Sequence, residues 1–152
     1  MRNIWILVAD AGRARIVSKA EGTDGLAIVQ QLNNPLGRAH NVDLVSDQRG
    51  SFEKHGSGVK SAMEMRTEPH EEMAREFARK LNHVLEKAAS ARAYDLLAVV
   101  APPHFLGLLR TGMKPEQQNK LVLCLARDYM HLSHAELQRQ LDQVLELPTP
   151  AE

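Results

Sequence analysis

The stretch DLLAVVAPP, residues 95 to 103, limits the fold more than any other part of the chain. Six apolar residues in succession leave neither alternating face polar, the pattern of a strand covered on both sides in a partly parallel sheet. Proline cannot donate to a sheet ladder, so Pro102 and Pro103 stop the strand, and PPHFLGLLR is expected to turn straight into a short helix. A second run, LVLCLA at 121 to 126, has the same character. Both runs are too continuous for a sheet edge, which predicts Val99 and Leu123 in central strands.

The first thirty-odd residues supply the neighbours such a sheet needs. NIWILVA (3 to 9) closes on the turn DAG, RARIVSK (13 to 19) alternates weakly, EGTDG is a turn cluster, and LAIVQQL (26 to 32) is a third strand. Together they predict an antiparallel meander. Met73, Phe77, Leu81, Val84, Leu85 and Ala88 form an apolar stripe at helical spacing, predicting a helix over about 69 to 90 with Pro69 in its first turn and Thr67 or Glu68 as its cap. Ser133 to Glu136 is a capping box that opens a last helix carried by Leu137, Leu141, Val144 and Leu145. The resulting order, βββαβαβα, with a mixed five-stranded sheet and helices on both faces, is the α/β arrangement of ribonuclease H-like domains. With 152 residues and 43% apolar content, one domain over 1 to 147 accounts for the chain, and the tail 148 to 152 is expected to fray.

Charge excludes little and steers nothing. Lys plus Arg and Asp plus Glu number 19 each, so no overall field draws the chain to nucleic acid or an anionic membrane, and any such contact is local. The single cysteine, Cys124, sits inside LVLCLA, which rules out a disulfide framework and predicts a buried structural thiol. The amino terminus has too few apolar residues before Asp10 for a signal-peptide core or a membrane span, so a cytoplasmic protein without membrane insertion is expected.

Between Asn33 and about Thr67 no helical or strand period holds. Its centre, SDQRGSFEKHGSGVKS at 46 to 61, carries three glycines and charges of both signs, and a structureless stretch of this length in a compact domain points to function.

WILVADAGRARI, SDQRGSF, YDLLAVVAPPHFLGLLR and RDYMHLS together resemble the bacterial host attachment protein family over about residues 5 to 140. The resemblance implies a role in attachment to host cells, indirect here because no export signal or anchor is visible. The family is also similar to the middle domain of archaeal and eukaryotic peptide-chain release factors, where a Gly-Gly-Gln loop precedes a long helix. The loop holding Gly50, Gly56 and Gly58 matches that place, but GSGVKSA has Val59 and Lys60 where Gly-Gln would stand.

Individual residues each admit a chemical and a plain reading. Asp10 ends a strand where ribonuclease H-like nucleases place a metal ligand, and Glu72 or Glu76 could supply another. Two-metal catalysis needs several converging carboxylates, and the next strand ends in Ala101 and Pro102 with Asp95 at its opposite end, so Asp10 is expected to be a turn residue and no metal is expected. GSGVKS lacks the spacing of a phosphate-binding P-loop, though Lys60 with glycine amides could contact phosphate. Asp47, Arg49 and Gly50 are candidate partner contacts or a simple turn. His104 stands at a strand's carboxyl end as a candidate base or phosphate contact, and Arg110 as a phosphate contact or helix C-terminal cap. Asp128, His131 and His134 span a loop and a cap and are not expected to converge on a metal. Arg75, Arg79, Lys80 and Lys87 alternate with glutamates on a solvated helix face.

The residues taken as the binding set are Asp10, Arg13, Asp47, Arg49, Gly50, Lys60, His104 and Arg110. The leading expectation is a non-enzymatic binding module, without cofactor and without DNA, associated with ribosome or RNA through 46 to 61. The alternative is a hydrolase acting on an ester or phosphoester such as peptidyl-tRNA. The oligomeric state is left open.

Overall fold

The first apolar run forms β1 (Asn3–Ala9), and Asp10 turns the chain back. Its Oδ1 accepts the backbone N–H groups of Gly12 at 2.8 Å and Arg13 at 2.9 Å, so β2 (Arg13–Ala20) returns antiparallel and β3 (Ala27–Asn33) follows as the expected meander. The structure, a computed structural model, describes residues 2 to 23, 25 to 34 and 59 to 145, with the side chains of the long helix described from His70 onward.

The remaining elements are α1 (Val59–Ser90), β4 (Leu96–Ala101), α2 (Pro103–Thr111), α3 (Pro115–Lys120), β5 (Leu121–Ala126) and α4 (His134–Leu145). The strands pair in the order β3-β2-β1-β4-β5, with β4 parallel to both β1 and β5 and β2 antiparallel to its neighbours. This is the mixed five-stranded sheet of a ribonuclease H-like fold, with helices on both faces.

Alternation along β1 and β4 divides the core in two. Trp5, Leu7, Ala9, Leu97, Val99 and Ala101 face α1 and α2, where they meet Phe77, Leu81, Leu85, Phe105 and Leu109. Ile4, Ile6, Val8, Ala98 and Val100 face Leu137 and Leu141 of α4. The capping box forms as expected: the Ser133 N–H donates to Glu136 Oε1 at 2.9 Å and the Glu136 N–H to Ser133 Oγ at 3.2 Å. Val144, expected in the apolar stripe of α4, is exposed instead.

The buried polar groups are bonded across elements. Tyr94 Oη donates to the Leu85 carbonyl at 2.8 Å, and its ring lies 5.1 Å from that of Trp5. Asn82 Nδ2 donates to the Leu109 carbonyl at 3.0 Å, and Gln117 Nε2 donates to the Asn82 carbonyl at 3.2 Å. The backbone at Gly112 passes so close that an added Cβ would lie 2.8 Å from Asn82 Nδ2. α1 ends without glycine: Arg92 takes the left-handed position (φ 58°), and the Ala93 N–H reaches back to the Ala88 carbonyl at 2.9 Å in a Schellman closure.

Four expectations need correction. α1 begins at Val59, not near 69, so Pro69 lies inside the helix and neither Thr67 nor Glu68 caps it. The residues before Pro69, VKSAMEMRTE, are mostly good helix formers that carry the helix upstream. Consequently Val59, Lys60 and Ser61 are helical rather than part of a loop, while 46 to 58 lie outside the described residues, as does the tail.

Leu123 is not central, because β5 is the outermost strand of the sheet. Leu123 and Leu125 pack on the α4-side core and Leu121 and Cys124 on the α1-side core, so both faces are partly covered while one flank is not. For that reason Cys124 is half-buried rather than buried. Finally, PEQQNK forms the short helix α3, which has too little apolar periodicity to stand out; it is fixed by Pro115 in its first turn and by buried Gln117, whose Oε1 accepts the Lys114 N–H at 3.1 Å.

Candidate functional site

In open α/β sheets the carboxyl ends of parallel strands are the usual place for ligands. Here β1 ends at Asp10 and β4 at Pro102, and α1 reaches the same end. Asn34, just past β3, ties this end together: its N–H donates to the Gly12 carbonyl at 2.9 Å, and its Nδ2 to the carbonyls of Ala11 at 3.2 Å and Met73 at 3.4 Å. Asn34 therefore joins the turn after β1 to α1 at Met73.

Three of the expected residues lie at this rim of the sheet, in two separate pairs. Asp10 is the turn residue expected of it; its Oδ2 lies 3.9 Å from Arg13 Nε, and the Arg13 side chain is 50% exposed. His104, one residue into α2, places Nε2 at 2.7 and 2.9 Å from the two carboxylate oxygens of Glu71 on α1. Glu71 in turn lies 3.7 Å from Arg75. Glu71 was not anticipated, since 33 positions separate it from His104 and nothing local in sequence links them.

Arg110 goes elsewhere. It sits near the far end of α2 and lines an open cleft of about 540 Å³ with Gly107, Thr111, Met113, Gln118 and Leu121, beside β5. Cys124 stands nearby: burial pushes its thiol pKa up, and the positive charge of Arg110 opposes that with a smaller effect. Lys60 falls in the first turn of α1, and Asp47, Arg49 and Gly50 lie outside the described residues.

The metal-type groupings do not assemble among the described residues. His131 Nδ1 is 4.0 Å from Asp128 Oδ1, whereas the His134 ring bonds to the Leu26 carbonyl at 3.1 Å, so the trio diverges. No group of three or more His, Cys, Asp or Glu among the described residues is placed to hold a metal ion. On α1, Arg75 and Arg79 pair loosely with Glu72 at 3.6 and 3.8 Å, as befits a solvated face.

Sequence reasoning also passed over Arg15 as a site residue. Its Nη2 donates to the carbonyls of Tyr129 at 2.9 Å and Leu132 at 2.7 Å, clipping the segment before α4 to β2. The signal available was its place in DAGRARI, two residues from Arg13 on one face of a strand.

Residues 5–141 match the model of a family described as proteins required for attachment to host cells. The chain belongs to that family. No curated protein matches it. Among solved structures it is similar to the archaeal translation termination factor aRF1, at 10% identity and a TM-score of 0.43, over 95% of this chain and 39% of that one. This member of the host attachment family thus spans well under half the length of that factor. Among its described residues no helix is long and apolar enough to cross a membrane.

Proposed function

We propose that this host attachment family member is a cytoplasmic binding module that associates with ribosome or RNA, and acts on attachment indirectly. The contact is made by residues 46 to 61, which include Lys60 in the first turn of α1, together with the rim. One observation carries this reading: Asn34, bonded to Gly12, Ala11 and Met73, lies at the same end of the sheet as the two ion pairs Asp10–Arg13 and His104–Glu71. Such ionic groups suit a polar macromolecular partner, with specificity drawn from many modest contacts.

The test is affinity capture from lysate at low and high salt, with RNA sequencing and mass spectrometry of what stays bound. Ribosomal components are expected at low salt and reduced at high salt. Replacing Arg49 and Lys60 together by alanine is expected to weaken capture. Capture without RNA or ribosomal protein at low salt would overturn the reading.

The alternative, a hydrolase acting on an ester or phosphoester such as peptidyl-tRNA, is favoured by one contact, the 2.7 Å approach of His104 to Glu71 at a strand's carboxyl end. A carboxylate can orient an imidazole as a general base. It predicts turnover of peptidyl-tRNA that His104→Ala abolishes; equal turnover in that variant rules it out.

A further inference from the structure

β2 and β3 pair with Arg13 opposite Asn33 and Arg15 opposite Gln31. Directly opposed residues in an antiparallel pair share a face, and so do residues two apart on one strand, so all four lie on one side of the sheet. Arg15 also pairs with Val8, which belongs to the core under α4, so that side is the α4 face. Gln31 and Asn33 are exposed, and the Arg13 side chain is half exposed. Two guanidinium groups and two amides thus form one polar patch, with the arginine Cα atoms about 7 Å apart by the strand repeat.

The charges on this patch are poorly balanced. Arg15 is half-buried, yet the acceptors it finds among the described residues are two carbonyls, and its Nε is buried with no acceptor. Burial lowers its pKa, and the charge of Arg13 lowers it further. Asp10, the carboxylate beside Arg13, is already engaged: one oxygen takes two backbone N–H groups, and the other stands 3.9 Å from Arg13. Arg13 thus meets a carboxylate that is already bonded, while the hydrogen bonds of Arg15 run to the two carbonyls. A partly buried cation without an anion has lost part of its hydration, and a bound anion would offset that loss.

We propose that this face binds a phosphate group through Arg13, Arg15, Gln31 and Asn33. Planar guanidinium forks suit the tetrahedral oxygens of phosphate better than lysine would, and the two amides add neutral donors. The site rests on the reading of a phosphate-bearing partner; it shares Arg13 with the rim described above and adds Arg15, Gln31 and Asn33.

The test uses the full chain and three probes: inorganic phosphate, a nucleoside monophosphate, and single-stranded RNA of about ten nucleotides. Binding is followed by NMR of the arginine Nε–Hε resonances and by calorimetry. A saturable shift at Arg15 is expected, weakened about tenfold or more by Arg13→Glu and by Asn33→Asp. Both positions are exposed, so those variants keep their melting temperature, whereas Arg15→Gln also frees the Tyr129 and Leu132 carbonyls and serves only as a companion. Equal affinity for phosphate and mononucleotide with no gain for RNA assigns the site to small phosphates; tighter RNA binding, with a salt slope reduced by about one on losing Arg13, assigns it to the RNA backbone. No saturable shift with any probe, or unchanged affinity in the Arg13→Glu, Asn33→Asp double variant, overturns the proposal. RNA binding lost with Arg49 and Lys60 but kept in Arg13→Glu sinks this site and leaves the RNA reading standing. Phosphate binding that depends on Arg13 without any captured RNA does the reverse.

Discussion

β4 and β5 lie side by side, parallel, six residues each, and their sequences LLAVVA and LVLCLA are close to interchangeable in apolar content. Their surroundings are not. In β4 the residues Leu97 to Ala101 have no measurable exposure, whereas no residue of β5 is fully buried and Val122 is 51% exposed. The ladder also slips between them: Leu97 pairs with Leu121 and Ala98 with Leu123, leaving Val122 as the extra residue of a bulge. The comparison teaches that hydrophobic content reports cover above and below a sheet, not the number of strands beside it. Backbone hydrogen bonds join neighbouring strands, and every residue but proline carries the same backbone groups.

The largest effect that can break this comparison is a charge placed in each strand. Val99→Asp strands a carboxylate in the core and is expected to cost several kcal/mol, enough to unfold the domain. Val122→Asp, on the bulge, is expected to cost about 0.5 kcal/mol or less. Urea melts of both variants check this; similar losses would mean that the two strands are equally buried.

Truncation gives a smaller difference with the same sign. Leu97→Ala is expected to lose about 2 to 5 kcal/mol, and Leu123→Ala visibly less, because a partly buried side chain at the sheet edge forfeits less transfer free energy and leaves no closed cavity. Thermal melting read at matched protein concentration decides it.

Alkali separates the two environments again. Burial, with help from the charge of Glu116, raises the Tyr94 phenol from 10.0 to about 12. The folded state therefore holds its proton where the unfolded state has lost it, so stability is intact below pH 10 and falls as pH rises from about 10 to about 12. Tyr94→Phe is expected to remove that alkaline slope, at the cost of leaving the Leu85 carbonyl without its donor. Cys124, at the edge, has a thiol pKa raised by partial burial, so a thiol reagent is expected to label it in the native state but more slowly than in the unfolded chain.

Two glycines flanking the cleft beside β5 give the smallest test. Nothing lies within 4 Å of a Cβ built at Gly107, so Gly107→Ala is expected to stabilise α2 by about 0.5 to 1 kcal/mol. Gly112→Ala meets Asn82 Nδ2 at 2.8 Å and is expected to destabilise, as it displaces the bond from Asn82 to Leu109. A melting-temperature change of the same sign in both would refute the packing around Asn82.

The elements written in local chemistry were legible from the chain alone. Asp10 followed by Gly12 spells a turn, Ser133 and Glu136 spell a cap, and Pro102 ends β4, because each acts on backbone groups within a few positions. The two-sided cover of β4 was legible as well, since a face is a property of alternate residues along one strand. The start of α1 was misjudged because Pro69 is a strong local signal that a run of helix formers outweighs.

Tertiary structure alone decided the rest. It set β5 at the edge against β4, brought Glu71 to His104, put Arg110 in a cleft with Gln118 and Leu121, and laid Arg13 and Arg15 beside Asn33 and Gln31. Each of these is a meeting of residues far apart in the chain. Sequence order carries side-chain type and local period, but which strand is the last in a sheet, and which charges face each other across it, follows from how the faces pack together.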